Sequence, residues 1–174
     1  NGKANFIDTE GKLLSEQWFD DAYNFSNGFA PVRLNGKVNY IDTERKLLSE
    51  QWFDDVDDFN DGFARVKLNG KYNFIDTEGK LLSEKWLDWV YEFSDGFARV
   101  ELNDKANFID TNGKLVLNQW VDGCFDFQYG FAKVTLNGKV NFIDTNGRLL
   151  SNQWFDDGYS FLNGSAEVVK DGVN

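Results

Sequence analysis

The chain has 174 residues, 41% hydrophobic and 17% aromatic, enough apolar surface to supply a core even in short structural units. Eighteen basic against 29 acidic residues give a net charge of -11, which argues against nucleic-acid or anionic-membrane binding, both of which need clustered Lys and Arg. The single cysteine, Cys124, excludes an internal disulfide and leaves the redox compartment open, and no apolar run approaches the ~18 residues of a membrane-spanning helix.

The segment "NGKANFIDTE" at Asn1 returns as "NGKVNYIDTE" at Asn35, "NGKYNFIDTE" at Asn69, "NDKANFIDTN" at Asn103 and "NGKVNFIDTN" at Asn137, a fixed interval of 34 residues. The repeats are 1–34, 35–68, 69–102, 103–136 and 137–170, and "DGVN" at 171–174 opens a sixth. One repeat array over 1–174 is expected. Because it starts and stops at the same phase, a segment of a longer protein is expected as well.

Within a repeat the first element is the turn "DTEGK". Gly11, Gly79, Gly113 and Gly147 fall where a three-residue loop needs a left-handed residue, and Arg45 replaces that glycine in the second repeat. The turn leads into a short predicted strand, Lys12 to Ser15. A further strand is predicted from Trp18 to Phe25, turning at "SNG" into "FAPVRLNGKVNYID". There Asn35-Gly36 signals a two-residue type I′ hairpin. It sets Leu34 opposite Lys37, Val32 opposite Asn39 and Ala30 opposite Ile41. Ala30, Val32, Leu34 and Ile41 then share an apolar face, while Pro31 and Arg33 head variable, mostly polar columns. A half-buried antiparallel hairpin follows. Asp104 replaces the glycine of "NG" in the fourth repeat, at a backbone cost of roughly 1–2 kcal/mol that neighbouring repeats can absorb. The stretch "KLLSEQWFDDAYNF" has no helical stripe and is rich in β-forming aromatics, so four short strands per repeat and an all-β fold are predicted.

The order "GK-x-x-(F/Y)-ID-x-x-GK", then an aromatic, an Asp and "F-x-x-G-x-A-x-V", resembles the bacterial WG repeat over the whole chain. The Trp-Gly pair that names that family falls at Ala4-Asn5, Val38-Asn39, Tyr72-Asn73, Ala106-Asn107 and Val140-Asn141, where the large aromatic is mostly lost and Asn stands for Gly. Trp18, Trp52, Trp86, Trp120 and Trp154 lie elsewhere in the repeat and are expected to supply the missing bulk. The resemblance implies an interaction module, part of a longer bacterial or phage surface or secreted protein, with no shared chemistry and no catalytic residues to carry over.

The repeats can be compared with one another. Trp18, Phe25 and Gly28 and their counterparts scarcely change and read as core and turn. Asn5, Asp8, Thr9 and Asp20 are equally constant. A metal or acid–base site is the sharp reading of Asp8 and Asp20; hydrogen bonds to backbone at turns and strand ends is the preferred one. The oxygen-ligand spacing of a calcium loop is missing. Asn5 is expected to satisfy backbone groups between adjacent repeats. With no His, no phosphate loop and every constant titratable group present five times, the chain is expected not to be an enzyme and to use no cofactor and no metal. A glycosidase-like carboxylate pair remains a minor alternative.

The column of Ala22 reads A/V/V/C/G, a size-limited core position that makes Cys124 a small buried residue. The columns of Asp21 and Tyr23 place Tyr23, Trp89, Tyr91, Phe125 and Tyr159 on one side of a strand. They form either a ligand ladder for sugar faces or extended peptide, or rings that fill the seam between repeats. Binding or scaffolding of a protein or glycan partner is expected, with a spacer or fibre segment as the alternative; neighbouring repeats of a longer chain are further possible partners, and neither nucleic acid nor membrane insertion is expected. An open, curved superhelix is preferred over a closed five-bladed propeller because 34 residues is short against the ~40–50 of propeller repeats. In a closed ring, strands 3–8 and 165–170 would meet.

Overall fold

Asn35 and Gly36 hold φ of 51° and 78°. Both lie in the left-handed region, as a type I′ hairpin requires. The computed structural model describes residues 2–44 and 46–171. The glycine replacement at Arg45 and most of the "DGVN" segment therefore lie outside the described residues. The chain divides into two compact halves, Asn1–Trp86 and Leu87–Asn174.

The first half holds two three-stranded antiparallel sheets. Strands β1 (Asp21–Ala22), β2 (Phe29–Leu34) and β3 (Lys37–Asp42) make one, in that order. Strands β4 (Asp55–Val56), β5 (Phe63–Leu68) and β6 (Lys71–Asp76) make the other. The second half repeats the plan with β7 (Trp89–Val90), β8 (Phe97–Leu102) and β9 (Lys105–Asp110), then with β10 (Gly123–Cys124), β11 (Phe131–Leu136) and β12 (Lys139–Asp144). It ends in the pair β13 (Asp157–Gly158) and β14 (Val168–Val169). No helix forms among the described residues, and the fold is all-β.

The β2–β3 register matches expectation: Leu34 faces Lys37, Val32 faces Asn39 and Ala30 faces Ile41. The tight turns match too. Asp104 takes the left-handed conformation at φ 59° in place of glycine, and Gly11 sits at φ 82° with its amide donating to the Asp8 carbonyl at 3.0 Å.

Three expectations need correction. The hairpin is not half-buried throughout: Val38 and Tyr40, on the face opposite Asn39 and Ile41, are only 2% and 1% exposed. Tyr40 is drawn in by the ring of Phe59 from the same repeat. The expected strand Lys12–Ser15 shrinks to one bridge, Ile7 with Leu13, because the Ser15 hydroxyl accepts from the Gln17 amide at 3.0 Å and turns the chain away. The expected strand Trp18–Phe25 splits between two partners. Phe19 pairs backward with Ala4, whereas Asp21–Ala22 pairs forward with Val32–Arg33. Four strands per repeat thus reduce to two of six residues, one of two residues, and single bridges.

Burial follows from how repeats stack within each half. In the first half, the Phe59 ring lies 4.4 Å from Phe29 of the preceding repeat and 5.0 Å from Tyr40 of its own. In the second half Phe127 lies the same way, 4.6 Å from Phe97 and 4.8 Å from Phe108. Such stacked, tilted and edge contacts add roughly 0.5–1.5 kcal/mol each beyond area burial. Trp52 packs on the cluster of Phe19, Ala30, Val32 and Ile41, and Trp86 on that of Tyr40, Phe53 and Ile75. Trp18 and Phe25 are not core: they are 50% and 37% exposed, whereas Trp52 and Phe59 pack on residues of the repeat before them. The Ala22 column is size-limited as expected. A Cβ on Gly158 would meet Val140 at 3.1 Å, and burial pushes the Cys124 thiol up to about 12.

The turn glycines differ sharply in what surrounds them. A Cβ on Gly79 would sit 1.9 Å from the Leu48 carbonyl oxygen, while one on Gly11 meets nothing within 4 Å. Gly11→Ala should therefore lose about 1 kcal/mol, the left-handed backbone cost alone. Gly79→Ala should lose more than about 3 kcal/mol, because backbone must move. Equal shifts of the two urea midpoints would contradict this account. Tyr129 holds φ 54° where other repeats place Asn or Asp, and it is 76% exposed. Tyr129→Asn should raise stability by about 1 kcal/mol in the same measurement.

Candidate functional site

The constant columns of Asn5, Asp8 and Asp20 bond to backbone. In the first repeat, one oxygen of Asp8 accepts from the amides of Glu10 and Lys12 at 3.0 and 2.8 Å, closing the turn. Asp76 and Asp144 do the same for Lys80 and Arg148. Asp20 reaches forward: its Oδ2 accepts from the Asn35 amide at 2.6 Å, fixing the next hairpin turn, and its Oδ1 takes the Lys3 ammonium at 2.5 Å. Asp54 and Asp122 repeat this arrangement with Asn69 and Asn137.

Asn39, Asn73, Asn107 and Asn141 are all at most 1% exposed. Each donates to a loop carbonyl ten residues on, as Asn39 does to Ser49 at 2.7 Å, and accepts from the next amide, as from Tyr40 at 2.8 Å. These bonds stay inside one repeat. The expectation that the Asn5 column bonds between repeats is corrected: Asn5 donates to Ser15 at 2.8 Å, because the loop it holds is its own.

The aromatic column follows the two-residue strands β1, β4, β7, β10 and β13. In every repeat its amide donates to the carbonyl of the residue eight positions on, Tyr23 to Pro31, Asp57 to Arg65, Tyr91 to Arg99, Phe125 to Lys133 and Tyr159 to Glu167. That bond sets the two side chains beside each other. Asp57 and Arg65 form an ion pair at 2.6 Å. The Arg99 guanidinium lies 3.6 Å from the Tyr91 ring centroid, and the Lys133 ammonium 4.3 Å from that of Phe125. Both cations then reach the next repeat, Arg99 donating to the Cys124 carbonyl at 3.1 Å and Lys133 to that of Gly158 at 3.3 Å. Trp89 stands edge-on to Tyr91 at 6.3 Å, and the Tyr91 hydroxyl donates to Glu101 at 3.0 Å.

Within the second half, then, Trp89 and Tyr91 come together, while Phe125 and Tyr159 stand 45% and 59% exposed. Tyr23, in the first half, is 46% exposed. It borders an open groove of about 440 Å³ shared with Pro31, Arg33, Asp55, Val56 and Asp58. Arg33 hydrogen-bonds Tyr23, which with the carboxylates of Asp55 and Asp21 holds its pKa above the usual arginine value against the effect of burial. Sequence reading missed the pairing of this column with the cations. Its signal is a fixed offset in the three middle repeats, where a cation follows the column by eight residues: Arg65 after Asp57, Arg99 after Tyr91 and Lys133 after Phe125.

The model of the WG containing repeat matches residues 6–37, 40–72, 74–105 and 108–139. These four matches cover more than half of the chain, which belongs to the family of WG-containing repeats. No curated relative matches it. Solved structures similar to it include Kluyveromyces lactis Hsv2 with complete loop 6CD, at 12% identity and TM-score 0.38, covering 84% of this chain and 47% of that one. A structure described as the eukaryotic initiation factor matches at 13% identity and TM-score 0.43, covering 87% and 49%. A Bacteroides caccae protein matches at 14% identity and TM-score 0.30, covering 87% and 74%. The chain spans about half the length of the first two, and likeness at these scores carries no further argument.

The carboxylates that hold hairpin turns give a pH dependence of known sign. Hydrogen bonds from Lys37 and then from the Asn69 amide hold Asp54 below its ordinary 3.8; Lys105 and the Asn137 amide act likewise on Asp122. A folded-state value below the unfolded one stabilises at higher pH, and that stability is lost as pH falls through the lowered value. The urea midpoint should hold down to about pH 5 and decline steadily toward about pH 3, less steeply in Asp54→Asn. A midpoint that rises on acidification would contradict it.

Proposed function

We propose that the array is a non-enzymatic interaction module that binds or scaffolds protein or glycan partners through its aromatic column. The observation that carries this is the exposure of Tyr23, Phe125 and Tyr159 at one repeated position, in a frame whose other constant columns are committed to core and turns. Flat rings suit sugar faces and extended peptide, and an acidic surface favours neutral or cationic partners. Trp89 and Tyr91 add area in the third repeat. Non-catalytic use is supported by the backbone hydrogen bonds that occupy the constant carboxylates. An open succession of repeats, preferred over a closed ring, belongs to this proposal and rests on repeat length.

A spacer role is the second reading, favoured by the cations that cover Tyr91 and Phe125. A glycan and peptide array, run with wild type and with Trp89→Ala plus Tyr91→Ala, separates the two. The interaction reading expects binding that falls by about tenfold or more in the double variant. Binding that survives both changes removes these two rings from the site. Absence of binding, with the double variant unfolded, favours the spacer.

A further inference from the structure

The three middle repeats fill one position with a cation of their own, and the first does not. At the place of Arg65, Arg99 and Lys133 the first repeat has Pro31, which carries no charge and no donor. The surroundings that those cations use are nonetheless kept. Tyr23 supplies the ring that Tyr91 presents to Arg99 and Phe125 to Lys133, and it is 46% exposed. The counterpart of the Cys124 and Gly158 carbonyls, which accept from Arg99 and Lys133, is that of Val56, and Val56 lines the groove of about 440 Å³. Asp55 and Asp58 add two carboxylates to the same lining.

We propose that this groove is a binding site for a guanidinium or ammonium group, an Arg or Lys side chain presented by a partner protein. The incoming cation lies on the face of Tyr23 as Arg99 lies on Tyr91, and donates to the Val56 carbonyl as Arg99 donates to Cys124. The charged groups facing it are the carboxylates of Asp55 and Asp58 and the guanidinium of Arg33, which hydrogen-bonds Tyr23. Two acids against one base leave the lining negative. Asp21, whose charge also acts on Arg33, adds to that sign. A cation over an aromatic face gains most when partly desolvated, which a groove provides and a flat surface does not.

The proposal deepens the interaction-module reading and rests on it, but its test is separate. Acetyl-arginine amide is titrated into the full chain and followed by amide chemical shifts, with acetyl-citrulline amide as the uncharged isostere. Saturable shifts confined to residues around Tyr23, Val56 and Asp58, with arginine and not with citrulline, are expected. Pro31→Arg places the array's own cation in the groove, as the second and third repeats do at Arg65 and Arg99, and should abolish those shifts while leaving the remaining spectrum folded. Tyr23→Leu with Asp58→Asn, which adds no side chain to the groove, should weaken binding by about tenfold. No shift at the groove, or shifts unchanged in Pro31→Arg, overturns the proposal. Peptide binding elsewhere on the array without groove shifts overturns the groove and leaves the interaction reading standing. Groove shifts without any binding of peptides support the groove and count against the broader reading.

Discussion

One ring decides whether a repeat can be folded at all. A sheet of two six-residue strands and one two-residue strand is too small to bury a core by itself, since isolated hairpins are marginal in water. The Phe59 ring resolves this by standing between Phe29 of the preceding repeat and Tyr40 of its own. Two sheets then share one core, and Phe127 does the same work between Phe97 and Phe108. Stability is therefore a property of neighbouring pairs. The same logic explains Phe25, which occupies the same column as Phe59, pairs with the Phe6 ring of its own repeat and stays 37% exposed.

The aspartates work at the complementary level of register. Asp20 and Asp54 reach across to the amide of the next hairpin turn, so the polar edge of one repeat sets the geometry of the following one. The rings supply the free energy that is not directional, and the carboxylates supply the direction. The carboxylates of the Asp8 and Asp20 columns are taken up by turn amides, so columns that look chemical in sequence hold turns in space.

What was legible in the sequence is what depends on a few adjacent residues. The Asn35-Gly36 turn and the pairing of Val32 with Asn39 follow from local φ preferences and a period of two. The left-handed Gly11 follows from the same source. What was not legible depends on which repeat lies next door. Trp18 and Trp52 sit in nearly identical stretches, yet one is exposed and the other packs on Phe19 and Ile41. The burial of Tyr40 is not legible because its partner, Phe59, lies 19 positions away in the chain. At the site, Tyr91 was readable as a surface ring, but the Arg99 above it required extending the β7–β8 ladder by one residue, to the bond between the Tyr91 amide and the Arg99 carbonyl.

The sheets and the sequence repeats are out of phase, and this matters for anyone who would cut or graft the array. Each three-stranded sheet takes β2 from one sequence repeat and β3 from the next, so the obvious boundary between Leu34 and Asn35 falls inside a hairpin turn. A cassette excised there would carry two half-hairpins and keep the two-residue β4–β5 ladder in place of a six-residue one. The cassette that is whole in space begins near Gln17 and ends near Glu50. It keeps Asp21–Ala22, both long strands, the following turn and the Asn39 bond to Ser49 in one piece. Its exposed ends, at Glu16 and Glu50, lie between the Leu13 and Phe19 bridges and between those of Leu47 and Phe53, so each cut severs a single bridge, Ala4 with Phe19 or Val38 with Phe53, and spares the strand ladders. Shuffling modules at that phase exchanges complete sheets; shuffling at the sequence phase exchanges fragments.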